Sequence, residues 1–179
     1  IRVTDVLNPL DLREPGLADI EDLRLPVTMT KLDLYLGGLN LSSIFLHEIR
    51  FNKNPEFGSD FFPGSAPLPT RESPDEGFDN MEFAAALNGT FRGWDSSLYW
   101  AYIYDDTLQS AKISTGAKPK IRRPRLQMYG TAFNLAWGNW LFKTEAAYLK
   151  GFEFFNTDDK EFSRLDALAG VEYSGFKDT

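Results

Sequence analysis

Charged residues recur at even spacing in two segments near the end of the chain: Lys143 and Glu145 in one, and Arg164, Asp166 and Glu172 in the other. In an extended strand this spacing puts all the charges of a segment on one face. There they can attract, exclude or orient ionic solutes if the face is wet, whereas in a dry interior each ion needs a partner to offset its desolvation. Lys112, Lys118, Lys120, Arg122, Arg123 and Arg125 form a second concentration of charge. No Asp or Glu occurs between Thr107 and Thr144, in a chain whose formal net charge is -7. Such a cluster can hold phosphate oxygens by charge-assisted hydrogen bonds or draw anions to a pore mouth; the competing reading is a solvated basic loop.

The remaining chemistry is sparse. His47 is the single histidine, so any Ser-His-acid or His-carboxylate mechanism within the chain has to use it. Phe45 and Ile49 share its face, which reads as packing, and no catalytic residue is assigned. Asp158, Asp159 and Glu161 offer hard oxygen ligands but lack the ordered spacing and glycine of a calcium loop, so no metal site is assigned. The chain has no cysteine, which removes disulfides and cysteine-metal sites. It has neither a Walker A loop nor a Gly-rich dinucleotide motif, so no cofactor is expected. The net negative charge argues against nonspecific nucleic-acid binding.

The segments that must position these charges follow a rhythm of short and long connectors. Val27 to Leu36 and Leu39 to Phe51 are separated by Gly37-Gly38, a dipeptide suited to a hairpin turn. Met81 to Phe91 and Ser96 to Tyr104 flank Arg92 to Asp95, and Arg125 to Trp137 and Trp140 to Phe155 flank Gly138-Asn139. Arg164 to Tyr173 completes seven strand candidates. The connectors 52–80 and 105–124 are long and broken by Pro55, Pro63, Pro67, Pro69, Pro74, Pro119 and Pro124, so they are expected to hold neither strand nor helix. Compact soluble domains rarely need such loops, most of their connections being about 4 to 6 residues, whereas outer-membrane barrels pair short periplasmic turns with long extracellular loops.

The faces of the segments agree with a barrel. Trp140, Phe142, Thr144, Ala146 and Tyr148 oppose Leu141, Lys143, Glu145, Ala147 and Leu149. Likewise Leu165, Ala167, Ala169, Val171 and Tyr173 oppose Arg164, Asp166, Leu168, Gly170 and Glu172. Ile44 and Leu46 interrupt the polar face of the second candidate, otherwise Asn40, Ser42, Glu48 and Arg50. Trp94, Trp137 and Trp140 sit beside the short turns, as in a girdle at the headgroup level. No stretch approaches the roughly 18 apolar residues of a membrane helix.

Several motifs carry a family resemblance. The run Arg2-Val3-Thr4-Asp5-Val6-Leu7-Asn8-Pro9-Leu10-Asp11 is followed by Asp19-Ile20-Glu21-Asp22-Leu23-Arg24-Leu25-Pro26. Later come Arg50-Phe51-Asn52, Gly58-Ser59-Asp60-Phe61, Gly93-Trp94-Asp95 and the stretch from Trp140 to Tyr148. Together they resemble a bacterial outer-membrane family, domain of unknown function 1302. The resemblance implies location in the bacterial outer membrane and a porin-like character, and it brings no catalytic residues.

The expected fold is therefore all-β, an antiparallel transmembrane β-barrel of which this chain supplies a seven-strand piece of a larger barrel. Residues 1–26, acidic through Asp5, Asp11, Asp19, Glu21 and Asp22, are expected to form an extracellular or lumen-constricting loop, with barrel strands in 27–179. Lys143, Glu145, Arg164, Asp166 and Glu172 are expected to line the lumen, and Lys118, Lys120, Arg122, Arg123 and Arg125 to contact anions or lipopolysaccharide. The expected function is a non-enzymatic channel for small solutes, with outer-membrane lipid and lipopolysaccharide as surroundings. The alternative is a sleeve or scaffold for a periplasmic or surface partner such as a redox protein. An outer-membrane hydrolase is disfavoured by the lone histidine.

Overall fold

The computed structural model describes residues 4–17, 19, 22–71, 74, 80–107, 112–114, 120–154 and 160–175. In chain order the strands are β1 (Met29–Leu36), β2 (Leu39–Leu46), β3 (Thr70–Arg71), β4 (Glu82–Phe91) and β5 (Trp94–Tyr104). They continue as β6 (Lys112–Ser114), β7 (Lys120–Arg122), β8 (Arg125–Trp137), β9 (Trp140–Phe152) and β10 (Phe162–Tyr173). Gly37, Gly93 and Gly138 take φ of 60°, 87° and 58°. This left-handed conformation costs glycine little and other residues much, and it lets β1-β2, β4-β5 and β8-β9 reverse within two residues.

Seven strands form one antiparallel sheet in the order β1-β2-β4-β5-β8-β9-β10. Each short turn is tied to the following part of the sheet: the Thr90 N–H donates to Gly38 O at 2.9 Å, Ala136 N–H to Gly93 O at 2.8 Å and Ser174 N–H to Asn139 O at 2.9 Å. The three turns therefore share one end of the sheet and the long connectors share the other. The sheet is open, with β1 and β10 as its edges, so the expected barrel is not closed within this chain.

Several boundaries differ from the sequence expectation. The turn between β4 and β5 is Arg92-Gly93 alone, because Trp94 and Asp95 already pair with Phe91 and Thr90. β2 stops at Leu46 instead of Phe51, because its pairing partners stop there: Leu46 lies opposite Met29 on one side and Glu82 on the other. The long connectors also contain strands. β3, β7 and β6 make a small second sheet, with Thr70 opposite Lys120 in parallel and Ile113 opposite Ile121 in antiparallel pairing. The prolines flank these short strands without entering them, Pro69 and Pro74 around β3 and Pro119 and Pro124 around β7, and a proline withdraws only its own N–H from a ladder.

The two faces of the main sheet are unlike. On the side that holds two cavities, and is concave there, apolar residues of the four central strands pack near the long-connector end: Ala84, Ala101, Ile103, Leu126, Met128, Ala147, Leu149 and Phe152. Ile44 packs against this cluster and Leu46 is buried, which explains why apolar residues interrupt the polar pattern of β2. On the other side the same strands carry Leu87, Leu98, Trp100, Tyr129, Phe133 and Tyr148, all exposed. The contrast is sharp within single strands: in β5, Leu98 is 59% exposed while Ala101 is 1% exposed.

Candidate functional site on the concave face

The residues from Thr4 to Leu12 form a strap that enters the concave side from the long-connector end. Backbone bonds fix its outer part: Lys53 N–H to Leu10 O at 2.9 Å, Leu12 N–H to Lys53 O at 2.7 Å and Leu25 N–H to Pro9 O at 2.8 Å. The Leu10 N–H adds a bond to Asn52 Oδ1 at 2.6 Å. Asp5 accepts from Arg24 at 2.5 Å, and Asp11 pairs with Arg13 at 2.7 Å and Lys53 at 3.8 Å. The Arg13 hydrogen bond holds the Asp11 carboxyl down at about 2. Two of the acidic residues of this segment are thus neutralised locally, and Glu21 lies outside the described residues.

The inner part of the strap is apolar where it meets the apolar cluster, Val6 and Leu7 packing against it. Farther in, the Thr4 hydroxyl donates to Glu145 Oε1, and the Thr4 N–H reaches the same oxygen at 3.3 Å. Gly130 makes room for this residue, since a Cβ there would stand 2.8 Å from Thr4 Cγ2. A glycine inside a strand often marks such a close approach, and that was the available sequence signal for a contact the sequence reading missed.

Beyond Thr4, toward the short turns, the concave face turns polar. A cavity of about 620 Å³ is lined by Asp95, Ser97, Tyr99, Asn134, Lys143 and Glu145, among others. Asn134 donates to Asp95 at 2.7 Å, and Lys143 forms an ion pair with Glu172 at 2.6 Å. Register puts the expected charges on this same side, with Arg164 opposite Leu149, Asp166 opposite Ala147 and Glu172 opposite Leu141. Arg164 bonds Asp166 at 2.9 Å and covers the Phe152 ring at 5.0 Å. The structure therefore brings Lys143, Glu145 and Glu172 to the cavity region, while Arg164 and Asp166 stand farther along β10 as a pair.

The basic cluster is divided. Lys118 lies outside the described residues, and Lys112 and Lys120 are described as backbone in β6 and β7. Arg122 is exposed. Arg123 is buried, donating to Asp105 O at 2.9 Å and lying 4.2 Å from the Phe51 ring centre. Arg125 donates to Met81 O at 2.8 Å and stacks 4.0 Å over Tyr104. Asp158 and Asp159 are outside the described residues, and among the described residues no group of His, Cys, Asp or Glu is placed to hold a metal.

A carboxylate cluster at the same end was not anticipated. Asp105 is buried and accepts from the Thr107 N–H at 2.8 Å and hydroxyl at 2.9 Å. Burial raises its pKa. Asp106 is pushed up to about 8, first by burial and then by the negative charge of Glu82, with Arg123 opposing and Asp105 adding to the rise.

Fold and site together define an all-β chain whose antiparallel sheet holds a polypeptide strap against one face and presents an apolar surface on the other. A family model described as protein of unknown function, DUF1302, matches residues 3–172. The chain belongs to this family. Comparisons with curated proteins and with solved structures return no match.

Proposed function

We propose that the chain forms part of the wall of an outer-membrane β-barrel that passes small hydrated solutes, with the strap narrowing its lumen. The observation that supports this most is the outer face of the central strands, where large apolar and aromatic side chains stand exposed, while the other face carries a buried apolar cluster under the strap and polar side chains nearer the short turns. A lipid-facing wall exposes such an apolar face, whereas a water-soluble sheet covers it or makes it polar. β8 and β9 have 13 residues each and β5 has 11, enough to cross the roughly 9 to 11 residues of a tilted transmembrane strand. Trp94, Trp137 and Trp140 lie at the short-turn end of this surface, where amphipathic rings suit the headgroup level.

In lipid the open edges of β1 and β10 need partners, because unpaired backbone groups there have no water to bond. An antiparallel sheet of seven strands leaves its first and last strands parallel, so an odd number of further strands completes an even-stranded barrel. In the polar cavity the carboxylates of Asp95 and Glu145 outnumber the Lys143 ammonium, which is itself paired with Glu172, and this balance favours cationic over anionic solutes. Flotation with phosphatidylcholine vesicles followed by planar-bilayer recording of the full-length protein tests the proposal. Flotation with discrete conductance steps is expected; protein left in the aqueous fraction refutes the membrane assignment, and flotation without conductance refutes the channel.

A further inference from the structure

The outward wall does not stay apolar up to the long connectors. Beyond Tyr129 and Tyr148 along β8 and β9 come Gln127 and Lys150, which pair across the two strands. Tyr102 of β5 and Arg125 of β8 belong to the same outward face, by the pairing of Tyr102 with Gln127 and of Tyr104 with Arg125. These residues, with Arg122 and Tyr104, line a cleft of about 850 Å³ whose far side is built from the connectors at Pro74, Asn80 and Pro124. Arg122, Arg123, Arg125 and Lys150 supply four cations to the lining against the carboxylates of Glu153 and Glu161. This local excess of positive charge stands in a chain of formal net charge -7. Among the described residues Arg122, Arg125 and Lys150 form no ion pair. Arg125 is also fixed in place, held by Met81 O at 2.8 Å and by the Tyr104 and Tyr102 rings at 4.0 and 4.8 Å.

We propose that this cleft binds the phosphate-bearing headgroup of a glycolipid in the leaflet on the long-connector side, an assignment that rests on the outward wall meeting lipid. Three observations converge on that occupant. The cleft opens on the side wall, where a headgroup lies. It follows directly on a band of exposed apolar residues, so a bound molecule has acyl chains to lay against Trp100, Tyr129 and Tyr148. Its cations are of the kind that take phosphate oxygens, with a guanidinium pre-oriented on aromatic rings and a nearby ammonium. Arg122 and Lys150 approach from a connector and from β9, so a phosphate between them would also tie the connector to the wall.

The test uses the full-length protein in detergent, with native mass spectrometry to follow retention of bis-phosphorylated lipid A, its dephosphorylated form and phosphatidylcholine. Lipid A should be retained selectively, and an Arg122→Gln/Lys150→Gln double variant should bind it about tenfold more weakly, as two exposed charge contacts together give. Arg125 is left intact because it also holds Met81 O. Equal retention of phosphorylated and dephosphorylated lipid, or unchanged lipid A binding by the double variant, overturns the proposal. So does displacement of lipid A by an equimolar concentration of inorganic phosphate, which would show a site for the free anion. Flotation of the same variant with phosphatidylcholine vesicles separates the two levels: a protein that does not float refutes the lipid-facing wall itself, whereas one that floats without discriminating lipid A refutes the headgroup site alone.

Discussion

Placing an arginine at Leu98 should distinguish a wall in lipid from a surface in water. Leu98 lies midway along the outward row of β5, four residues from Trp94 at the turn end and four from Tyr102 at the connector end. At a rise of roughly 3.4 Å per residue and a tilt of about 40°, that row spans roughly 21 Å across the bilayer, within an apolar band about 25 Å tall. On the proposed membrane reading Leu98 falls near the midplane, where an outward arginine costs about 2 to 4 kcal/mol. A 59% exposed leucine in water would accept the same change within about 0.5 kcal/mol. The neighbouring Ser97 points to the other side and lines the polar cavity of about 620 Å³, so Ser97→Arg should cost roughly 1 kcal/mol or less. Urea unfolding of the full-length protein and both variants in lipid vesicles, followed by tryptophan fluorescence, gives the two costs under the same conditions. Equal costs for Leu98→Arg and Ser97→Arg, or a Leu98→Arg cost within 0.5 kcal/mol of zero, would refute the assignment of the convex face to lipid.

Three further outcomes are expected. Residues 1–179 contain no cysteine, so, in a full-length background free of other cysteines, Asn139→Cys at a short turn and Lys160→Cys at the opposite end can be labelled singly, and an impermeant maleimide should reach them from opposite sides of the membrane; labelling of both in intact cells would contradict a membrane-crossing sheet. Deletion of the strap, residues 4–12, should raise single-channel conductance, because it lies across the concave face with Thr4 bonded to Glu145; unchanged conductance would show that solutes pass elsewhere. Burial raises the folded-state pKa of Asp105 and moves that of Asp106 from 3.8 to about 8, so the native state binds these protons more tightly than the unfolded state. Their contribution is full below the unfolded pKa and is lost as pH rises through the folded one. The urea midpoint should therefore fall between about pH 5 and about pH 8, and Asp106→Asn should lessen that fall; an identical fall in the variant would exclude Asp106 as its source.

The sequence shows the main sheet well and the packing on its faces poorly, for physical reasons. Strict alternation from Arg125 to Trp137 and from Trp140 onward fixes which residues share a face, and the glycines at 37, 93 and 138 fix where the chain reverses, because both are local properties. Strand ends at the rim are not local. His47 to Phe51 continue the alternation of β2, yet the strand stops at Leu46 because neither neighbouring strand extends further. The three short strands of the second sheet were hidden for a related reason. Two or three residues between prolines carry no period, and only a partner from a distant connector turns them into β3, β6 and β7.

The basic cluster shows how charge counted along the chain misleads about charge in space. Arg122, Arg123 and Arg125 are near neighbours in sequence, but Arg122 is exposed, Arg123 is buried beneath Phe51 and Asp105, and Arg125 is stacked on the outward tyrosines. Lys150, which sequence reasoning left unassigned, instead joins Arg122 and Arg125 through the pairing of β8 with β9. The same pairing accounts for the strap. Ala84 and Ala101 pair across β4 and β5, and Ala147 of β9 lies opposite Gly130, so register gathers small residues on one part of the concave face. Gly130 extends that patch to the point where Thr4 meets Glu145. Read one strand at a time, these small residues look like weak alternation. Assembled, they make a groove deep enough for a second layer of backbone, and the polar side chains begin beyond Thr4, toward the short turns.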